Sequence, residues 1–283
     1  MKKTMQFKAK IKNLALENHV PAQAVLQNFM LERLLERISL SKYKDKFVLK
    51  GGMLIASLVG IGSRTTMDMD TTLRGYPLSE ESIREALSEI CSIPLDDEVT
   101  LALERIAPIR EDDEYGGYRV ALLARFESIN TPLKVDVTSG DVITPDAIRY
   151  AFPSNFENKR IEVWAYNVET ILAEKVETIL RRGVLNTRPR DFYDVYVMLK
   201  THKLAIDRET FSAALNATAA KRASLGALQD RQKRLLAIAS DATMRQRWER
   251  YCKDNFYAKD IKFDDVIQTL DDVLRRSVST VLR

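Results

Sequence analysis

Two patterns of apolar and polar positions divide the chain at about residue 166. Before that point, segments with apolar residues three and four positions apart alternate with short segments that have the two-residue period of a strand. The helical pattern predicts helices over 5–19, 21–38, 53–60 and 79–92. The strand pattern predicts strands over 46–50, 64–73, 102–111, 117–127, 132–141 and 161–166, with a hairpin turn at 112–117.

After residue 166 the helical period continues without strand-like segments. It predicts helices over 167–183, 188–202, 207–221, 226–254 and 263–282. We therefore predict an α+β protein of two lobes. The first lobe, 1–166, combines N-terminal helices with a small mixed sheet, and the second lobe, 167–283, is α-helical.

Composition places this chain among ordinary globular proteins, with 45% hydrophobic and 30% charged residues in 283 positions. Its two cysteines, Cys91 and Cys252, form no CxxC motif, which argues against a zinc site and favours a reducing cytoplasm. Lysines interrupt the N-terminal apolar segment, so we expect no signal peptide, and no apolar run is long enough to cross a membrane. The net charge of +4 permits a nucleic-acid partner without requiring one.

The segment RTTMDMDTTL, residues 64–73, contains two aspartates two positions apart in a strand pattern. Side chains two apart on a strand point to the same face, so Asp68 and Asp70 are expected side by side, with Met67 and Met69 buried on the other face. Two neighbouring carboxylates repel each other. Bound divalent cations would relieve that repulsion, although an exposed polar strand face is the simpler alternative.

A glycine pair, Gly51 and Gly52, follows one predicted strand and opens a helix. Glycines allow close approach of a phosphate, and a helix N-terminus favours an anion, although such a pair is often only a turn. A third aspartate, Asp136, lies in the strand over 132–141. If that strand neighbours the one with Asp68 and Asp70, three carboxylates meet beside the glycines. Such a set would hold two magnesium ions on a triphosphate, with Asp136 as metal ligand or general base.

This order of glycine pair, short helix, Asp-x-Asp strand and later strand aspartate resembles the polymerase-β-like nucleotidyltransferase superfamily. Two strings, FVLKGGMLIASLVGIGSRTTMDMD and AEKVETILRRGVLNTRPRDFYDVYVML, resemble more specifically the AbiEii toxin family of nucleotidyltransferases. The resemblance covers about residues 45–200. Met53 stands where that family commonly has threonine, which puts phosphate affinity or nucleotide preference in doubt.

The resemblance implies roles for several further residues. Lys175 would contact the nucleotide triphosphate, and Asp191 would lie opposite it in the same cleft. Arg64 would contact a phosphate, and Ser63 could bond the same phosphates. The role of Asp194 is left open, because its carboxylate could equally form a purely structural ion pair with Arg190. Ion pairs on a polar helix face remain the alternative for most of these residues.

By this resemblance, the protein is a toxin of a bacterial toxin–antitoxin or abortive-infection system. It would transfer a nucleoside monophosphate from an NTP to an acceptor hydroxyl, with Mg²⁺ or Mn²⁺ as cofactor. The best candidate acceptor is the 3′ end of tRNA, and the antitoxin would be a separate protein. Two other classes stay open: an NTP-binding regulatory module without transfer activity, and another metal-dependent phosphotransferase or nuclease. Pyrophosphate release would separate the transferase from both.

Overall fold

The computed structural model describes residues 2–109 and 116–276. It contains a mixed β-sheet with helices around it, followed by a purely helical region, so the predicted α+β fold class is confirmed. Residues 112–115 of the predicted hairpin turn and 277–282 of the predicted last helix lie outside the described residues.

The chain divides into two compact units. One unit consists of Met1–Asp141 and Ala147–Ala165, and the other of Val142–Asp146 and Tyr166–Arg283. The short segment Val142–Asp146 therefore belongs with the helical unit, although it precedes the last two strands of the sheet in the sequence. The functional lobe boundary between residues 166 and 167 stays a prediction.

In its described residues, the first unit holds the sheet and four helices. Its helices are α1 (Lys2–Glu17), α2 (Ala22–Leu40), α3 (Gly51–Val59) and α4 (Glu80–Ser92). Its strands are β1 (Phe47–Lys50), β2 (Asp68–Leu73), β3 (Val99–Pro108), β4 (Gly117–Phe126), β5 (Ile129–Ser139), β6 (Ile148–Pro153) and β7 (Arg160–Ala165). The strand pattern of the sequence did not predict β6.

The seven strands lie in the order β3-β4-β5-β2-β1-β7-β6. The pairs β2–β5 and β1–β7 are parallel, and the other neighbours are antiparallel. The aspartate strand β2 therefore lies at the centre, with β1 on one side and β5 on the other. This arrangement meets the condition that the sequence left open, namely that the strand with Asp136 neighbours the strand with Asp68 and Asp70.

One face of the sheet is apolar and packs against α2. Met69, Val135 and Val137 point to this face and are fully buried, as alternation along β2 and β5 requires. Gln27 of α2 links β5 to the residue before β2, because its Nε2 donates to the carbonyls of Met67, at 3.1 Å, and Pro132, at 2.8 Å. On β2 and β5 the opposite face carries polar side chains, among them Asp68, Asp70 and Asp136.

The predicted burial of Met67 is wrong. Strand β2 begins only at Asp68, so the alternation that buries Met69 does not extend to Met67, whose side chain is 43% exposed. Thr66 precedes it, and its hydroxyl donates to the Asp68 carbonyl at 3.1 Å. This local bond holds the entry to the strand in a non-strand conformation.

The second unit is helical in its described residues. Its helices are α5 (Val168–Arg182), α6 (Pro189–Tyr196), α7 (Arg208–Lys221), α8 (Leu225–Gln229), α9 (Arg231–Ser240), α10 (Ala242–Asp254) and α11 (Phe263–Arg276). The segment predicted as one helix over 226–254 is thus three helices. One break is explained by Asp241, whose side chain caps α10 by accepting from the Met244 amide at 2.8 Å. No helix in the described residues is long and apolar enough to span a membrane.

The register of β2 can be tested with its two methionines. We expect Met69→Ala to lower the free energy of unfolding by roughly 2–5 kcal/mol, because it leaves a cavity in the core. Met67→Ala removes an exposed side chain of the same kind and should change the free energy of unfolding by less than about 0.5 kcal/mol. Urea denaturation followed by circular dichroism measures both. Equal losses would contradict the register described above.

Candidate active site

Three aspartates share the polar face of the central strands. In the parallel pairing of β2 with β5, Asp70 lies directly opposite Asp136, and Asp68 lies opposite Lys134. Residues opposite each other on paired strands point to the same side, and Asp68 is two positions from Asp70. The structure therefore places all three predicted carboxylates on one face. Neighbouring strands are about 4.8 Å apart, which makes the pair of Asp70 and Asp136 a close one.

Two cations that sequence reasoning missed neutralise two of these carboxylates. The Lys134 ammonium lies 2.6 Å from Asp68 Oδ2. Arg119 of β4 donates to both oxygens of Asp136, from Nε at 2.9 Å and from Nη2 at 2.7 Å. Lys134 could have been found from the sequence, because it precedes Asp136 by two positions on the same strand. Arg119 depends on the register of β4 against β5, which the sequence does not give.

The third carboxylate, Asp70, lies against the glycine pair that begins α3. Its Oδ2 is 3.4 Å from the Gly52 amide nitrogen, which donates to it. Gly51 has a φ of +67°, and a Cβ at this position would lie 2.7 Å from Asp70 Cγ. Only glycine combines this left-handed backbone with so close an approach. The predicted turn at Gly51 and Gly52 is thus built around Asp70.

The predicted phosphate contacts lie close to the same turn. Arg64 is only 2% exposed, and its Nη2 would lie 3.0 Å from a Cβ at Gly52. Its guanidinium also donates to the Thr65 carbonyl. Ser63 lies in the turn after α3, where its amide donates to the Gly60 carbonyl at 3.0 Å. The structure brings Arg64 next to Gly52.

A second missed feature is the buried pair of Lys50 and Asp141. Lys50 lies opposite Asp70 on the other neighbouring strand, β1. Its ammonium donates to Asp141 Oδ2 at 2.5 Å and to Thr138 Oγ1 at 2.9 Å. Burial acts to raise the pKa of Asp141, but the charge and hydrogen bond of Lys50 hold it below its ordinary value. One row of four residues therefore crosses β1, β2, β5 and β4. The cations Lys50 and Arg119 lie at its ends, and the carboxylates Asp70 and Asp136 lie in its centre.

Asp68 and Asp136 on the sheet face are paired with cations and not gathered into a metal cluster of the described residues. In the part of the chain that the structure describes, no three His, Cys, Asp or Glu side chains form a group that could hold a metal ion. Lys134 and Arg119 are the partners of Asp68 and Asp136 instead. The donor chemistry nevertheless fits, because carboxylate oxygens are the ligands that Mg²⁺ takes in proteins. The predicted metal ligands stay a prediction.

The remaining predicted residues lie in the second unit, on α5 and α6. The Lys175 ammonium is 2.6 Å from Asp191 Oδ1 and 2.9 Å from Asp194 Oδ2, and both carboxylates are buried. Arg188 Nε lies 2.9 Å from Asp191 Oδ2, an ionic contact without hydrogen-bond alignment. Burial acts to lower the pKa of Lys175, but the two carboxylates outweigh it and raise the pKa, so the ammonium stays charged. Asp194 thus forms its ion pair with Lys175 and not with Arg190, which has no ion-pair partner among the described residues.

A match over most of the sequence shows which protein family the chain belongs to. Residues 33–274 match the family model described as "Nucleotidyl transferase AbiEii toxin, Type IV TA system". The chain belongs to the AbiEii nucleotidyltransferase toxin family. The resemblance in the sequence is therefore confirmed, and so is the assignment of the chain as a nucleotidyltransferase. No curated protein matches the sequence at a significant level.

Solved structures with similar folds include a toxin of known class. The chain is similar to MenT4, a nucleotidyltransferase toxin from Mycobacterium tuberculosis H37Rv, with a TM-score of 0.59 and 16% identity over 95% of this chain and 98% of that one. It also matches JHP933 from Helicobacter pylori, with a TM-score of 0.45 and 16% identity over 90% and 91% of the two chains. At this identity, the likeness to MenT4 shows the fold.

The need for glycine at position 51 can be tested against another glycine of this AbiEii chain. We expect Gly51→Ala to destabilise the first unit by roughly 1–3 kcal/mol from the left-handed backbone alone, and to displace Asp70. Gly226→Ala is a matched control, because a Cβ there meets nothing within 4 Å. Thermal unfolding measures both variants. A Gly51→Ala protein as stable as the control would contradict the close approach described here.

The pair of Lys50 and Asp141 predicts a pH dependence. Because the pKa of Asp141 is lowered on folding, its contribution to stability is present above the ordinary pKa of 3.8 and is lost as the pH falls through the lower folded value. Asp141→Asn should therefore lower the melting temperature at pH 7 and lose part of this deficit below about pH 4. The exposed Asp230 provides the control variant Asp230→Asn. A deficit that stays constant down to acid pH would contradict the ion pair.

Proposed function

We propose that this toxin nucleotidyltransferase transfers a nucleoside monophosphate from an NTP to a hydroxyl of an RNA acceptor, with the 3′ end of tRNA as the best candidate. The observation that carries the proposal is the set of Asp68, Asp70 and Asp136 on one sheet face beside the turn at Gly51 and Gly52. A structural strand has no need for three such carboxylates. A type IV toxin family also implies a separate antitoxin protein.

In this proposal Asp68, Asp70 and Asp136 hold Mg²⁺ or Mn²⁺. The bound metal would stabilise the charge that develops on the triphosphate during transfer. Asp136, which lies opposite Asp70, would also accept the proton of the attacking hydroxyl in this proposal. Lys134 and Arg119 balance the charge of Asp68 and Asp136 when no metal is present.

The other proposed contacts are cationic or backbone groups. Gly51, Gly52 and the N-terminus of α3 would hold phosphates, supported by Arg64 and Ser63. Lys175 would contact the triphosphate, and Asp191 keeps the Lys175 ammonium charged and in place. Cys91 and Cys252 are free thiols, which agrees with the cytoplasmic setting that we propose for the reaction.

The transfer reaction can be tested directly with labelled nucleotides. Purified protein is incubated with total bacterial tRNA, Mg²⁺ and each α-labelled NTP in turn. We expect label in RNA and release of pyrophosphate for at least one NTP, both abolished by EDTA. Asp70→Asn should reduce transfer by at least about 100-fold, because it removes charge at the proposed metal site.

The control Asp230→Asn removes an exposed carboxylate of the second unit and should leave transfer unchanged. Label in RNA that survives both EDTA and Asp70→Asn would contradict the proposed roles of metal and carboxylate. Metal-dependent NTP binding without pyrophosphate release would favour the regulatory module, and RNA cleavage without NTP would favour a nuclease.

A further inference from the structure

A groove in the second unit lies outside the candidate active site. It has a volume of about 750 Å³ and lies along α10, the turn at Phe256–Ala258 and the beginning of α11. No predicted site residue contributes to its lining. Its walls combine aromatic rings with lysine and arginine side chains, and this composition is typical of surfaces that bind single-stranded nucleic acid.

The floor of the groove is aromatic. Trp248 and Phe263 are almost fully buried, and their rings lie 6.1 Å apart. The indole nitrogen of Trp248 donates to the Ile261 carbonyl at 2.9 Å, which fixes α10 to the segment before α11. Arg245 lies over the Phe263 ring and forms an ion pair with Asp264 at 2.8 Å. The shape of the groove is therefore set by packing within one unit.

The rim of the groove carries a surplus of positive charge. Lys253, Lys259 and Lys262 are exposed, and none of them has an ion-pair partner among the described residues. The lining contains two carboxylates, Glu249 and Asp264, of which Asp264 is paired with Arg245. Three lysine charges thus face solvent against one glutamate. A polyanion that lies along the groove could neutralise them.

One aromatic ring of the groove is left at the surface. Phe256 is 43% exposed, although burying a phenylalanine side chain would stabilise the folded protein. It lies in the sequence between Lys253 and Lys259, and its ring contacts Tyr257 edge-on, at a centroid distance of 5.3 Å. An exposed ring between cations is a suitable platform for a nucleic-acid base, because every base has a flat face that can stack.

We propose that this groove binds a single-stranded segment of the RNA acceptor. Lys253, Lys259 and Lys262 contact successive phosphates, and Phe256 stacks on a base between them. The inference rests on the proposed function, because an RNA acceptor is what brings such a strand to the protein. An acidic peptide could also neutralise the lysines, but it would have no base to stack on Phe256, so the aromatic ring favours RNA.

The test measures RNA binding without the transfer reaction. A fluorescein-labelled single-stranded RNA of about 12 nucleotides is titrated with the full chain, without NTP and metal, at several salt concentrations. Each phosphate contact contributes about 0.7 to the salt slope for a single strand. The variant Lys253→Gln, Lys259→Gln, Lys262→Gln should therefore lower the slope by about 2 and weaken binding. Phe256→Ala should weaken binding about tenfold with little change in slope.

A matched variant controls for total charge. Lys203, Lys221 and Lys233 are exposed lysines of the same unit that do not line the groove, so changing all three to glutamine removes the same charge elsewhere. This control should bind RNA like the original protein. The groove proposal would be overturned if both triple variants weakened RNA binding equally. It would also be overturned if Phe256→Ala bound RNA with unchanged affinity and an acidic peptide by itself displaced the RNA.

Failure of this inference can be told apart from failure of the proposed function. If transfer to RNA occurs and the groove variants bind RNA and react like the original protein, the groove proposal is wrong and the proposed transferase function stands. If the original protein shows no RNA binding while pyrophosphate is released with another acceptor, both the groove and the RNA acceptor are wrong. Circular dichroism of every variant checks that the second unit is folded.

Discussion

The parallel pairing of β2 with β5 is the constraint on which the rest of the site depends. It sets Asp70 beside Asp136, and it is fixed from the opposite face by Met69, Val135 and Val137, which are fully buried. A shift of the register by one residue would turn the aspartates into the apolar core. The cost of burying carboxylates is far larger than that of losing one strand pair, so the hydrophobic face determines where the charges lie.

This register creates repulsion between neighbouring carboxylates, and the surrounding residues balance it. Lys50 and Arg119 lie at the two ends of the row that contains Asp70 and Asp136, and Lys134 lies opposite Asp68. The conformation of Gly51 follows from the same crowding, since only a residue without a side chain can pass the Asp70 carboxylate. Asp68 and Asp136 are therefore paired without a metal, and any metal bound to them must compete with Lys134 and Arg119.

The sequence predicts the parts of this structure that have local periodicity. Alternation on β2 places Asp68 and Asp70 on one face, and alternation on β5 places Lys134 beside Asp136. Whether Asp136 shares the face of Asp68 and Asp70 depends on the pairing of β2 with β5, which the sequence leaves open. Strand β6 could not be predicted, because it is an edge strand in which buried and exposed side chains do not alternate. Contacts such as those of Arg119 with Asp136 and of Lys175 with Asp194 join separate elements, so they depend on packing that no local pattern records.

The distribution of the charges matters more for polyanion binding than the modest net value of +4. On the sheet face, Lys134 and Arg119 have carboxylate partners, and Lys175 in the helical unit has two. A phosphate must compete with those partners for the same cations, which limits its affinity and favours phosphates that arrive with a metal. The lysines of the groove have no such competitors among the described residues, so electrostatic attraction of an RNA strand is expected to be strongest there.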